Sequence, residues 1–196
     1  MAFVLAGVWG ALGTATRTIH GADALMARSE QVRTVQQFLR AQLESAQLQP
    51  YVVSGDSRAR MFKGDARSMQ YVATMPPQVG EGGLFVQTLK LVRDGDAYAL
   101  QLDYAPMGGD GRTSGTPASH LLLRGLSGGQ FQYLATAAFG KPAAWRDDWL
   151  AVNGLPLAVR IHLEPGWPER VPFPDMLIRL QTGQGYGLQT STGNGP

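Results

Sequence analysis

The sequence offers three histidines and one serine-containing motif as candidates for a catalytic site. The histidines are His20, His120 and His162. A serine nucleophile needs a base and an orienting acid within hydrogen-bond reach, and its Gly-x-Ser-x-Gly elbow does not occur in the sequence. We expect solvated or interfacial histidines instead, with His20 on a long helix and His162 facing outward from a strand. No catalytic site is predicted, and the chain is not expected to be an enzyme.

The serine motif, Leu-Ser-Gly-Gly-Gln at residues 126–130, matches the signature of ABC-transporter ATPases. That chemistry also requires a phosphate-binding loop of the form Gly-x-x-x-x-Gly-Lys-Ser/Thr. The one Gly-Lys pair, at residues 140–141, is followed by proline and lacks the first glycine. We therefore interpret Gly128-Gly129 as a turn between two strands and predict no nucleotide binding.

Metal and nucleic-acid chemistry have as little support. The chain has no cysteine, and no His-x-x-x-His or Asp-x-Asp-x-Asp-Gly pattern occurs in it. Asp94-Gly95-Asp96 could contact calcium, but a hairpin turn at Asp94-Gly95 explains this segment better. The formal net charge is +2 without a run of basic residues, so no nucleic-acid partner is expected. Neither a metal nor a cofactor is predicted.

Trp145 and Trp149 are the remaining candidates for a binding site. Their i, i+4 spacing would place both indoles on one face of a helical turn. An aromatic ligand could bind there, and an apolar pocket beside the rings would favour that interpretation. Packing of the two rings in the core or at an interface is the preferred one.

The elements that would carry these residues begin with a long helix. Residues 1–16 contain no charged side chain, yet they are fewer than the roughly 20 that span a bilayer. The basic region that precedes the apolar stretch of a secretory signal is absent. We expect this segment to be the second half of a membrane helix that begins upstream. A buried core helix at the true terminus is the alternative.

The same helix is predicted to become amphipathic after Gly21. One face carries the apolar residues Leu25, Val32, Val35, Leu39 and Leu43. Pro50 disfavours helical geometry in the residue before it. The helix should therefore end near Gln49, after roughly 45 residues.

Past Pro50 the hydrophobic period changes to two, which predicts strands. The clearest are residues 83–93 and 96–104, joined at Asp94-Gly95, and residues 155–163. Weaker strands are predicted at 59–63, 68–74, 120–124, 130–136 and 176–180. Residues 106–119 and 182–196 are predicted to be a loop and a tail. A long helix followed by consecutive antiparallel strands indicates an α+β fold, with the sheet packed against the helix.

These segments resemble the minor pseudopilins of type II secretion systems, most closely the J-type subunit, from the first residues to about Leu180. The resemblance is carried by the helix of residues 1–48, by Arg-Met-Phe-Lys-Gly at 60–64 and by Met-Gln-Tyr-Val at 69–72. Its most specific part is the tryptophan pair before Leu-Pro-Leu-Ala-Val-Arg at 155–160. The cleavage motif of the family, Gly-Phe-Thr-Leu, is absent, and we expect it upstream.

The resemblance implies a pilin-like fold in which residues 1–27 anchor and assemble the protein, 28–181 form a periplasmic head and 182–196 a flexible tail. It implies a protein of the Gram-negative inner membrane that joins I- and K-type minor pseudopilins and filament pseudopilins to support protein export. We expect the helix assembly and packing face to comprise Ala6, Gly10, Leu25, Val32, Val35, Leu39 and Leu43. The small residues Ala6 and Gly10 would let helices approach closely in lipid, whereas residues 32–43 would mostly form the core of the head. A minor pilin of a type IV pilus and a membrane-tethered periplasmic ligand-binding module are the alternatives.

Overall fold

The computed structural model describes residues 25–53, 55, 58–75, 82–135, 142–150, 154–166 and 171–181. Ala6, Gly10 and His20, most of the predicted anchor (1–27) and the predicted tail (182–196) lie outside the described residues. Within these residues one helix packs against a curled antiparallel sheet. The fold is therefore α+β, and this arrangement is compatible with a pilin-like fold.

The helix, α1, is described over residues 25–44. Its apolar row faces the sheet from Val32 onward, and Val32, Val35, Leu39 and Leu43 are all buried, whereas Leu25 is exposed. No helix of the described residues is long and apolar enough to cross a membrane.

The helix ends before the predicted Gln49. The amide of Ala46 donates to the carbonyl of Leu43, and the amide of Gln47 donates to the carbonyl of Val72 at 2.8 Å. The residues before Pro50 therefore leave the helix because their backbone pairs with a strand of the sheet.

The sheet contains eight strands in the order β1-β2-β3-β4-β5-β7-β8, with β6 paired to β5. Their bounds are β1 Phe62–Asp65, β2 Ser68–Thr74, β3 Leu84–Asp94, β4 Ala97–Pro106, β5 Ala118–Leu134, β6 Trp145–Arg146, β7 Ala158–Pro165 and β8 Met176–Arg179. All the pairings are antiparallel. The predicted strand positions are thus largely confirmed.

Two details of the strand predictions are wrong. The tight turn between β3 and β4 is formed by Gly95 and Asp96, one residue later than predicted, because Asp94 still pairs with Ala97. Gly95 adopts a φ of 66°, a left-handed conformation that glycine allows without strain.

Gly128-Gly129 is also not a turn. The two predicted strands around it form the single strand β5, with an irregular register between Leu126 and Gly128. A β-carbon on Gly129 would lie 2.7 Å from the carbonyl oxygen of His162 in β7. Gly129 therefore allows close approach of two strands, and the pair does not reverse the chain.

The sheet curls so that its first hairpin reaches β5. The amide of Phe131 donates to the carbonyl of Ala66 at 2.9 Å. The hydroxyl of Tyr133 donates to the carbonyls of Asp65 and Ser68, at 2.8 and 3.1 Å. This closure surrounds the apolar row of α1 and encloses the main core.

Candidate functional site

The histidine and serine side chains of the described residues are not assembled for nucleophilic catalysis. His120 stacks on Tyr104, with 3.1 Å between its Nε2 and the phenol oxygen. His162 faces outward, and its Nδ1 lies 2.6 Å from the Oδ1 of Asp175. The hydroxyl of Ser127 contacts two backbone carbonyls, those of Glu164 and Pro165, at 3.4 Å. No group of three or more His, Asp or Glu residues in the described part of the chain could hold a metal ion.

The two tryptophans do not share a helical turn, so that prediction is wrong. Trp145 belongs to strand β6, and the guanidinium of Arg160 lies 4.2 Å from the centre of its ring. Trp149 is buried and donates from Nε1 to the carbonyl of Gly154 at 2.8 Å. Its backbone exchanges two hydrogen bonds with Gly64 of β1. Residues 145–149 therefore link the two parts of the sheet that its curl brings together.

Polar side chains cluster on the face of the sheet away from α1. The Asp103 carboxylate accepts hydrogen bonds from Gln101 and Ser119 and pairs with the ammonium of Lys90. Partial burial raises the pKa of this carboxyl, but these hydrogen bonds and the Lys90 charge outweigh burial and hold the pKa below its usual value. Every group in the cluster has a protein partner, which indicates a structural role.

The described start of α1 presents a surface of the opposite character. Leu25 and Met26 are 56% and 71% exposed, whereas Val32 and Val35, about two to three turns later, are buried. Two large apolar side chains side by side on a helix suit contact with another apolar surface. We call this pair the Leu25–Met26 patch.

A second apolar surface lies beside the helix, and sequence reasoning missed it. A groove of about 670 Å³ separates α1 from β4 and β5. Its walls include Thr34 and Phe38 of α1, Leu102 and Tyr104 of β4, and Leu121 of β5. Neither tryptophan lines it. We call this surface the α1–β5 groove.

A buried amide pair was also missed. Gln87 of β3 and Gln42 of α1 are almost inaccessible to solvent, and Nε2 of Gln87 donates to Oε1 of Gln42 at 2.7 Å. The sequence does carry a signal, since Gln87 interrupts the apolar run of its strand. This bond ties the helix to the sheet in one register.

A helix packed against a curled antiparallel sheet, with apolar side chains exposed along that helix, defines an α+β protein compatible with a pilin-like fold. No known family model matches the chain. The chain is 26% identical over 193 residues to type II secretion system protein J of Xanthomonas campestris pv. campestris. The alignment covers 94% of this chain and 88% of that relative. This similarity supports a J-type minor pseudopilin.

Proposed function

We propose that this chain is a non-enzymatic structural subunit of the type II secretion pseudopilus. The observation that carries the proposal is the 26% identity to a type II secretion system protein J, which extends over 94% of the chain. A match of this extent includes both the helix and the sheet. The helix-on-sheet architecture is compatible with such a subunit.

In this role the head lies in the periplasm of a Gram-negative bacterium, and the helix continues into the inner membrane. The subunit joins I- and K-type minor pseudopilins at the tip of the filament and supports export of proteins across the outer membrane. The Leu25–Met26 patch supports the assembly part of this proposal, because its apolar side chains are not covered by the subunit's own sheet.

The test is assembly of the full chain with its partners. We would co-express it in the membrane with the I- and K-type subunits of the same secretion system. The purified material would then be examined by size-exclusion chromatography with light scattering in detergent. We expect one defined heteromeric complex.

The double variant Leu25→Arg, Met26→Arg should weaken that complex by about tenfold or more, because a buried unpaired charge costs over ~1.4 kcal/mol. Leu177→Arg is the matched control, since Leu177 is 53% exposed but lies on β8. The control should assemble normally.

Failure of the folded full chain to join folded I- and K-type subunits would contradict the proposal. Assembly with type IV minor pilins instead would favour the minor pilin alternative. The ligand-binding alternative has no geometric support at the tryptophans, because Trp149 is packed into the core and Trp145 lies against Arg160.

A further inference from the structure

The α1–β5 groove is bordered by a strand edge that lacks a neighbouring strand. Strand β5 is 17 residues long, and its two halves have different partners. Residues from Ala118 onward pair with β4, while β7 pairs only from Leu126 onward. Within the described residues, the edge of 118–124 opposite β4 therefore carries no paired strand.

This edge faces the helix and the groove. The carbonyl of Leu122 accepts a hydrogen bond from Gln31 at 3.3 Å, and the carbonyl of Arg124 accepts one from Arg28. Side chains of α1 thus bind the far end of the edge, whereas residues 118–121 are exposed. In a strand with one neighbour, alternate backbone N–H and C=O groups point away from that neighbour and can pair with another chain.

The groove beside this edge is apolar and has one acidic side. Val35 and Phe38 line it from the helix, Leu102 lines it from β4, and the exposed Leu121 lies on the edge itself. Glu30 of α1 also lines the groove and is exposed. A complementary ligand would therefore offer free backbone hydrogen-bonding groups to the strand edge, apolar side chains to the groove and a basic side chain to the carboxylate.

We propose that the groove binds an extended segment of another protein, which adds as a strand to residues 118–121 of β5. Alternate apolar side chains of that segment enter the groove, and a basic side chain pairs with Glu30. A helical ligand would leave the strand edge unused, because its backbone groups are already bonded within the helix. This site is separate from the Leu25–Met26 patch and does not depend on the proposed pseudopilus role.

The test uses a peptide of sequence Lys-Thr-Val-Thr-Val-Thr, labelled with fluorescein at its N-terminus and amidated at its C-terminus, with the full chain in detergent. In an extended peptide of this sequence the lysine and both valines lie on one face. We expect saturable binding by fluorescence anisotropy. N-methylation of alternate peptide residues blocks the hydrogen bonds of one strand edge at a time. Methylation of the edge that faces β5 should weaken binding by about tenfold or more, since at least two backbone bonds are lost. Methylation of the other edge should leave binding within about twofold, since no bond to β5 is lost.

Two matched pairs of variants locate the site. Thr34→Tyr places a ring in the groove and should reduce affinity by about tenfold, while Gln37→Tyr, at an exposed position of α1 that does not line the groove, should not. Glu30→Gln should weaken binding of the lysine-containing peptide about threefold, and Glu44→Gln should not.

Several results would overturn the proposal. They are equal binding of the two N-methylated isomers, a helical circular dichroism spectrum of the bound peptide, and no saturable binding at millimolar peptide. Dimerisation of this chain, detected by light scattering and lost in Thr34→Tyr, would also overturn it, because the groove would then hold a second copy of the chain.

Discussion

At Gly64 in β1, a β-carbon would lie 2.2 Å from Cζ of Tyr133 and 2.4 Å from its hydroxyl oxygen. The ring of Tyr133 covers this position while its hydroxyl binds the carbonyls of Asp65 and Ser68. A side chain at residue 64 would push the ring away from both carbonyls. The absence of a β-carbon at this residue is therefore a condition for the sheet to close on itself.

We predict that Gly64→Ala lowers the free energy of unfolding by about 3 kcal/mol, through overpacking and the loss of buried hydrogen bonds. Urea unfolding followed by circular dichroism measures the change. Gly82→Ala is the matched control, because no heavy atom lies within 4 Å of its added β-carbon. A loss of similar size in both variants would contradict the steric explanation.

At the scale of elements, the helix and the sheet are joined by the buried bond between Gln42 and Gln87. Removal of either amide would leave the other buried without this partner. An unsatisfied buried polar group costs more free energy than the hydrogen bond itself contributes. Nε2 of Gln87 also lies 3.4 Å from the sulfur of Met75. The pair therefore fixes which turn of α1 faces β3.

A double-mutant cycle tests this. Gln42→Leu and Gln87→Leu should each lower the free energy of unfolding by about 1–3 kcal/mol. The double variant should lose less than the sum, by about 1 kcal/mol or more. Strictly additive losses in urea unfolding would show that the two amides do not interact.

The elements also show what the sequence could predict. Period-two apolar patterns located β2 to its last residue and most of β3, β4 and β7, because burial on one face of a sheet imposes an alternating hydrophobic pattern on the local sequence. The continuity of β5 produces no such pattern. Gly128-Gly129 is typical of a turn. The structure instead requires a glycine at 129 because folding brings the carbonyl of His162 close to it.

The candidate site was less predictable than the fold. Burial of Val32 and Leu43 follows from helical spacing alone. The α1–β5 groove instead depends on sheet topology, because β4 pairs with the first half of β5 and β7 with the second half. The tryptophan spacing was misread for a related reason, since residues 145–149 are extended by pairing with β5 and β1.

At the scale of the whole molecule, folding removes three phenols of the described residues from water, those of Tyr71 and Tyr133 in the main core and that of Tyr51 in a smaller cluster with Val72 and Val86. Burial raises the pKa of Tyr51, Tyr71 and Tyr133 well above the usual value, although the charge of Arg60 partly opposes the effect at Tyr51. The neutral phenol is thus favoured in the folded state. Their contribution to stability is complete below the unfolded-state pKa of about 10 and is lost as the pH rises above it.

We therefore expect the free energy of unfolding to fall above pH ~10, with each buried phenol adding about 1.4 kcal/mol per pH unit to the slope. Urea unfolding between pH 9 and 11.5 measures it. Tyr71→Phe should flatten the slope by one such contribution at little cost near neutral pH, because its hydroxyl has no hydrogen-bond partner among the described residues. An unchanged slope in Tyr71→Phe would contradict this assignment.

The polar contacts between α1 and the rest of the described structure are spread along the helix. Arg28 and Gln31 bind carbonyls of β5, Gln36 binds the carbonyl of Pro174, and Gln42 binds Gln87. A tension applied along the helix axis would load all of these contacts and the buried apolar row together, in shear. A tension perpendicular to the helix axis would break these contacts one after another. The attachment of the helix to the sheet should therefore resist force along the helix axis better than force across it.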